Sequence, residues 1–252
     1  MTGGISEGNL KIIHVFDKIG AMGKLFSDER LLDILKATLP NLAFVDCPLS
    51  EPPCVSCQRP SCPGVDACDD IGVAFMQSIV NTNEKGRKRK RPINPQTQRL
   101  WDVKRWAEDS TTLQEPSYSA NMAPLVVRAK TLQRRLFGWK ADFLLRETSV
   151  PLSLRVLAQN IDFPMEWAFG YRSFGIGKDN RSKVLEALIK NGYLSVHHSE
   201  EIIESSENFH SMICALIACM FEENMVELPG PGFSEEQGWV YLPELKEKQN
   251  IP

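Results

Sequence analysis

A chain of 252 residues that is 42% hydrophobic and 24% charged has apolar side chains enough for a large core, in one enlarged domain or two small ones. No apolar run approaches the ~18 residues of a membrane span, and the N-terminus has neither the basic nor the apolar region of a signal peptide, so a cytoplasmic location without membrane contact is expected. The net charge of −3 conceals an uneven distribution: between Glu84 and Arg105 nine Lys and Arg residues face two acids.

In chain order, residues 10–16 are rich in β-formers. Ser27-Asp28-Glu29-Arg30 opens an amphipathic helix running through Leu39, and Leu42-Ala43-Phe44-Val45 reads as a short, wholly apolar strand ending at Asp46. Directly after it, Cys54, Cys57, Cys62 and Cys68 fall within fifteen residues, as CVSCQRPSCPGVDAC. The C-x2-C half is a familiar thiolate spacing, and four thiolates complete a tetrahedral zinc shell unaided. The x4 and x5 gaps keep an iron–sulfur cluster open, as are two local disulfides or four free thiols. A reducing compartment argues against the disulfides.

The basic stretch follows. Arg87, Lys88, Arg89, Lys90 and Arg91, with Gln96 and Arg99 in Asn94-Pro95-Gln96-Thr97-Gln98-Arg99, suit phosphate contacts that are salt-dependent and blind to sequence, and Trp101 and Trp106 could stack on bases. A solvated loop is the plainer alternative. Met122, Leu125, Val126, Ala129, Leu132 and Leu136 then recur at helical spacing, with Arg128, Lys130, Arg134 and Arg135 on its charged face.

Phe143-Leu144-Leu145 makes another strand, ending at Arg146-Glu147. Residues 152–159 and 179–190 read as helices, the second stopped by Asn191-Gly192. Residues 212–221, apolar on every side, read as a central buried helix, and a last strand spans 239–242. Between these helices, Phe169-Gly170-Tyr171-Arg172-Ser173-Phe174-Gly175-Ile176-Gly177-Lys178 does not match the phosphate-loop pattern and reads as a connector, with a mobile loop over a site as the alternative. The alternation of strands and helices gives an α/β class with helices covering the sheet.

In such sheets chemistry gathers at the carboxyl ends of strands, where this sequence puts Asp46 and Glu147. Two carboxylates close together there would suit Mg²⁺ or Mn²⁺; each could equally cap a helix or pair with an arginine.

Val45-Asp46-Cys47-Pro48-Leu49 with its four cysteines, Arg89-Lys90-Arg91-Pro92, the Asn94–Arg99 run, Leu145-Arg146-Glu147-Thr148, Ile213-Cys214-Ala215-Leu216-Ile217-Ala218 and Gly238-Trp239-Val240-Tyr241-Leu242-Pro243 occur in that order. Together, from about Leu10 to Pro243, they resemble the predicted nucleases of the ribonuclease H fold, the domain-of-unknown-function 429 family. The resemblance implies a single ribonuclease-H-like domain over 1–252, a mixed sheet flanked by helices, with residues 52–105 as a cysteine-rich and basic insertion. It also implies a cluster of acids holding two divalent cations.

The sequence departs from that pattern twice. The family's first strand carries an acid, whereas residues 10–16 resemble the family's second strand, so that ligand is missing; either the chain starts downstream of it or the lineage has lost catalytic metal. Where the family has an Asp, this sequence has His210, which suits a transition metal better than Mg²⁺; Glu207, three residues earlier, could supply a carboxylate. Two functions are therefore expected. One is a metal-dependent nuclease using Asp46 and Glu147 with Glu207 or His210. The other is a non-catalytic nucleic-acid or protein binding module built on the cysteine knuckle and basic loop. A redox or iron–sulfur sensor is a third class.

Overall fold

The structure is a computed structural model. It describes residues 2–6, 9–16, 26–79, 81–82, 88–89, 93–108, 116–161, 163–197, 199–230, 233 and 238–244. In chain order the elements are β1 (Thr2–Ser6), β2 (Asn9–His14), α1 (Phe26–Thr38), β3 (Leu42–Val45), α2 (Pro53–Ser56), α3 (Ile71–Ser78), β4 (Asn81–Thr82) and β5 (Lys88–Arg89). They continue as α4 (Leu100–Glu108), α5 (Ala123–Trp139), β6 (Leu144–Thr148), α6 (Val150–Asn160), α7 (Met165–Gly170) and α8 (Gly177–Lys190). The last are β7 (Leu194–Ser195), α9 (Ser199–Glu204), α10 (Ser206–Glu222) and β8 (Val240–Tyr241).

The class is mixed α/β, with helices around a small parallel sheet. The chain divides into two compact units: Met1–Asp46, Leu132–Leu228 and Val240–Pro252 form the first, and Cys47–Thr131 with Pro229–Trp239 the second. The insertion expected at 52–105 lies within the second unit.

In the first unit β3, β6 and β8 run parallel in that order, with Val45 opposite Glu147 and Glu147 opposite Val240. A parallel strand covered on both faces must be apolar on both, which is why Leu42–Val45 shows no alternation. Side chains still alternate in direction. Ala43 and Leu145 enter a cluster with Leu32 and Leu35 of α1, Leu132, Leu136 and Trp139 of α5, and Phe143. Phe44 takes the other face, where its ring meets Phe221 of α10 at 5.7 Å and Tyr241 at 5.8 Å. Burying each of these rings is worth about 1.5–3 kcal/mol. Helix α10 has no polar face along its middle because Met212, Ile213, Leu216, Ile217 and Met220 are all buried. Ser205 starts it, its hydroxyl accepting from the Asn208 amide at 3.0 Å.

The sequence-predicted strand at 10–16 appears as β2, which pairs antiparallel with β1 and parallel with β7. Among the described residues the strands of this unit thus form two separate three-stranded sheets, and β3 has a strand partner on one side, β6.

The second unit is built on α3 and α4. Trp101, Val103 and Trp106 of α4 are buried with Val73 and Met76 of α3, so the two tryptophans expected to stack on bases are core residues instead. The run Asn94–Arg99 folds as a turn. Asn94 Oδ1 accepts from the Gln96 amide at 2.9 Å, and its carbonyl accepts from the Thr97 and Gln98 amides. Gly238 has φ +88°, and a Cβ there would lie 1.6 Å from Ser50 Oγ, so this position takes glycine alone.

Candidate functional site

Asp46 is the first residue beyond β3, at the carboxyl end of the parallel sheet. On α10, residues 210, 214, 217 and 221 recur at helical spacing and share a face. Because Phe221 packs on Phe44, the same face carries His210 past the end of β3. There His210 Nδ1 lies 3.1 Å from Asp46 Oδ2. A carboxylate can only accept, so Nδ1 carries the proton and Nε2 is left as the acceptor. The Tyr171 hydroxyl, which follows α7, donates to that Nε2, and its ring lies against His210 at 5.2 Å between centroids. Burial pushes the Tyr171 hydroxyl well above its ordinary pKa, so it stays protonated and remains a donor. The result is a chain of hydrogen bonds from Tyr171 through His210 to Asp46.

The chain is wet at one end. Asp46 is 27% exposed and His210 12%, whereas Tyr171 is buried. Arg172 is exposed beside it, with Nη2 3.2 Å from His210 Nδ1. It cannot donate to a nitrogen that already bears a proton, so it acts on the pair as a nearby positive charge. Glu207, also exposed, sits on the turn of α10 before His210. Its carboxyl is held below the ordinary range by its own backbone amide at the helix start, with Ser206 and the charge of Arg172 assisting. Beneath the site, burial pushes the Cys214 thiol far up, with Asp46 adding to the effect, so this cysteine is an inert wall.

Tyr171 is itself fixed from behind. Arg181, buried in α8, donates to the carbonyls of Tyr171 at 2.6 Å, Ile203 at 2.7 Å and Glu204 at 3.2 Å, joining the loop after α7 to the end of α9. Losing water around so many buried donors lowers its pKa.

The sequence-predicted residues are brought together in part. Asp46, His210 and Glu207 share one edge. Glu147 is at the same end of the sheet but not on the same face. It is level with Val45 and one residue beyond Arg146, the partner of Phe44, so strand alternation turns it away from α10 and from Asp46. It is buried there. Among the described residues no three His, Cys, Asp or Glu side chains gather as a metal shell. The donors therefore do not fit the two-cation centre, and His210, with Nδ1 donating to Asp46 and Nε2 accepting from Tyr171, has no ring nitrogen left over for a cation.

In the second unit none of the four clustered cysteines is in a disulfide. The Cys54 thiol is pushed up by burial first, then by the charges of Cys68, Cys62 and Cys57 and of Asp70, but the four do not gather as a metal shell. Lys88 and Arg89 lie on β5, paired with β4 as a two-stranded ribbon. Arg87, Lys90 and Arg91 fall outside the described residues. Gln96 is exposed at the turn. Arg99 is a correction: expected to reach phosphate, it is 1% exposed, its Nη2 2.9 Å from Asp102 Oδ1, its Nε bonded to Oδ2 and its Nη1 3.4 Å from Ser50 Oγ. A guanidinium bound on this many sides within a core does not meet a ligand.

Sequence reasoning missed Tyr171, Arg172 and Arg181. The first two lie in the stretch read as a connector, where no periodicity marks them; the sole signal is a Tyr-Arg pair between glycines that close packing requires.

Comparison of the chain with protein-family models, curated proteins and solved structures gives no match.

Proposed function

We propose that the chain is a phosphodiester hydrolase, a nuclease of ribonuclease-H-like type, whose reactive pair is Asp46 and His210. The observation that carries this reading is the 3.1 Å Asp46–His210 contact at the carboxyl end of a parallel strand, with Arg172 alongside. Asp46 is the more exposed partner and would take the proton of an attacking water. His210 holds Asp46 in position, and the Tyr171 hydroxyl holds His210 in the tautomer that does so. Arg172 would bind the phosphate and offset charge as it develops on the oxygens. A cation held by the exposed side of the Asp46 carboxylate, next to His210, would add Lewis-acid activation of the water.

The test is a Mn²⁺ titration followed through the His210 imidazole resonances, alongside cleavage of a labelled oligonucleotide. Mn²⁺-specific broadening at His210, lost in Asp46→Asn, supports the reading. Cleavage that survives Asp46→Asn overturns it.

One observation favours a second reading, a binding module without catalysis. Arg172 already brings a positive charge to His210, and Glu147 faces away, so the full acid set of a two-cation nuclease is missing. Failure of Mn²⁺ to reach His210, with nucleic-acid binding intact, would select it.

Nucleic acid as the partner rests on the basic stretch, whose ribbon β4–β5 carries Lys88 and Arg89. Replacing Arg87, Lys88, Arg89, Lys90 and Arg91 by Gln should weaken binding to all sequences alike. The log–log salt dependence should flatten by about 0.7 for each single-strand phosphate that is no longer neutralised. Fluorescence anisotropy at several salt concentrations measures this, and an unchanged slope would remove the ribbon from the interface.

For the four cysteines the reading is a structural zinc site. What supports it is the sequence spacing of four thiols within fifteen residues, all outside disulfides, which a Zn²⁺ ion would have to draw together into one shell. Protein purified without chelator should contain about one zinc per chain and be colourless. Visible absorbance would indicate an iron–sulfur cluster, and absence of both metals would end the metal reading.

A further inference from the structure

Residues 169–178 do more than connect α7 to α8. Three large apolar side chains there point into water: Phe169 at 66%, Ile176 at 60% and Phe174 fully exposed. A floppy loop could leave them there by default, but this one is held. A Cβ on Gly177 would lie 2.9 Å from the Tyr171 carbonyl, so the backbone packs closely there, and the Asn180 side chain fills the space over Gly170, its Nδ2 2.3 Å from where a Cβ would be. The Ser173 amide donates to the Gly170 carbonyl at 3.0 Å and the Gly177 amide to that of Ser173 at 2.9 Å, while Arg181 grips the carbonyl of Tyr171. The fold therefore fixes Phe174 in the open, two residues along the chain from Arg172, whose guanidinium reaches His210.

Resting on the hydrolase reading above, we infer that this loop recognises a single-stranded nucleic acid, with Phe174 stacking on an unpaired base and Arg172 holding the neighbouring phosphate. The occupant follows from the juxtaposition. An apolar peptide would match the phenylalanines but leave the guanidinium without a partner; a nucleotide, the substrate class of the hydrolase reading, offers both a flat π-face and an anion. A duplex hides its base faces, so the partner is single-stranded. The stretch of strand held here is short: Glu200, Glu201, Glu204 and Glu207 follow on α9 and α10, and Lys178 is ion-paired with Glu204, so a long phosphate track is excluded on this side. One base and one phosphate are what the loop holds.

The test measures binding in EDTA, where no cleavage occurs, with a fluorescein-labelled 12-residue single strand and the matching duplex. Phe174→Ala, a change at a fully exposed position, should weaken single-strand binding about 5- to 100-fold, the effect of removing one stacked base, and leave duplex binding unchanged. Arg172→Gln should lower the salt slope by about 0.7. Phe174→Trp should restore affinity and add a tryptophan signal, quenched on binding, over that of the parent. Equal affinity of parent and Phe174→Ala with no quenching in Phe174→Trp, preference for the duplex, or no single-strand binding at low salt would each overturn the inference. Because the assay needs no turnover, it stands if Asp46→Asn still cleaves, and it falls on its own evidence if Phe174 proves silent.

Discussion

Asp46→Asn should lower phosphodiester cleavage about 10²- to 10⁴-fold, the usual worth of a positioned proton acceptor, while leaving the thermal midpoint nearly unchanged. The change keeps the shape of a side chain that is partly exposed and removes the charge that orders His210. An amide can turn its NH2 toward Nδ1, which favours the other tautomer and competes with the Tyr171 hydroxyl for Nε2. His210→Gln should cost a comparable factor, and the double variant little more than either alone, because the two act as one unit. Glu147→Gln provides the contrast. With Glu147 turned to the opposite face, cleavage should stay within a few-fold of the parent, and the effect should appear in stability, as expected for a buried carboxylate. Single-turnover assays with chemical denaturation of all four proteins decide the matter. Loss of cleavage in Glu147→Gln without loss of stability would return that acid to the reaction.

Sequence reveals most where a rule of periodicity is obeyed without competition. The apolar run at 42–45, the all-apolar stretch at 212–221 and the Asn191-Gly192 stop are each the direct signature of an element, and β3, α10 and the end of α8 lie where they indicate. It reveals less where direction matters. Asp46 and Glu147 look equivalent as acids after apolar strands, but β6 extends one residue beyond Glu147, and that single residue of register turns the carboxylate to the other face. Glycine spacing at 170 and 177 is visible in the sequence, but its meaning is not, since only the close approach of Asn180 and of the Tyr171 carbonyl shows that the loop is braced. Arg99 misleads for a different reason. It closes a strongly basic stretch, and composition alone assigns it to the same surface; the Asp102 that takes it inward lies three residues on, the position from which an acid can reach back to the start of a helix.

Arg99→Ala should therefore act on stability and not on ligand affinity. The guanidinium is bound to both oxygens of Asp102, a side chain itself only 8% exposed. Removing it strands a carboxylate within the second unit, with the Arg99 amide and the Ser117 hydroxyl still donating to it. Breaking one half of a buried pair costs about 3–5 kcal/mol, most of it the penalty of the orphaned charge. Arg99→Lys should recover little, because a single ammonium cannot reproduce the forked contact and also reach Ser50. Arg99→Met combined with Asp102→Leu should cost less than Arg99→Ala, since no charge is then left behind. Hydrogen exchange read by mass spectrometry locates the effect. Protection should fall across α4 and residues 116–119 and persist in α10 and β6. If Arg99→Ala instead keeps its protection and loses oligonucleotide affinity with a shallower salt slope, Arg99 reaches phosphate after all and the Asp102 pair is incidental.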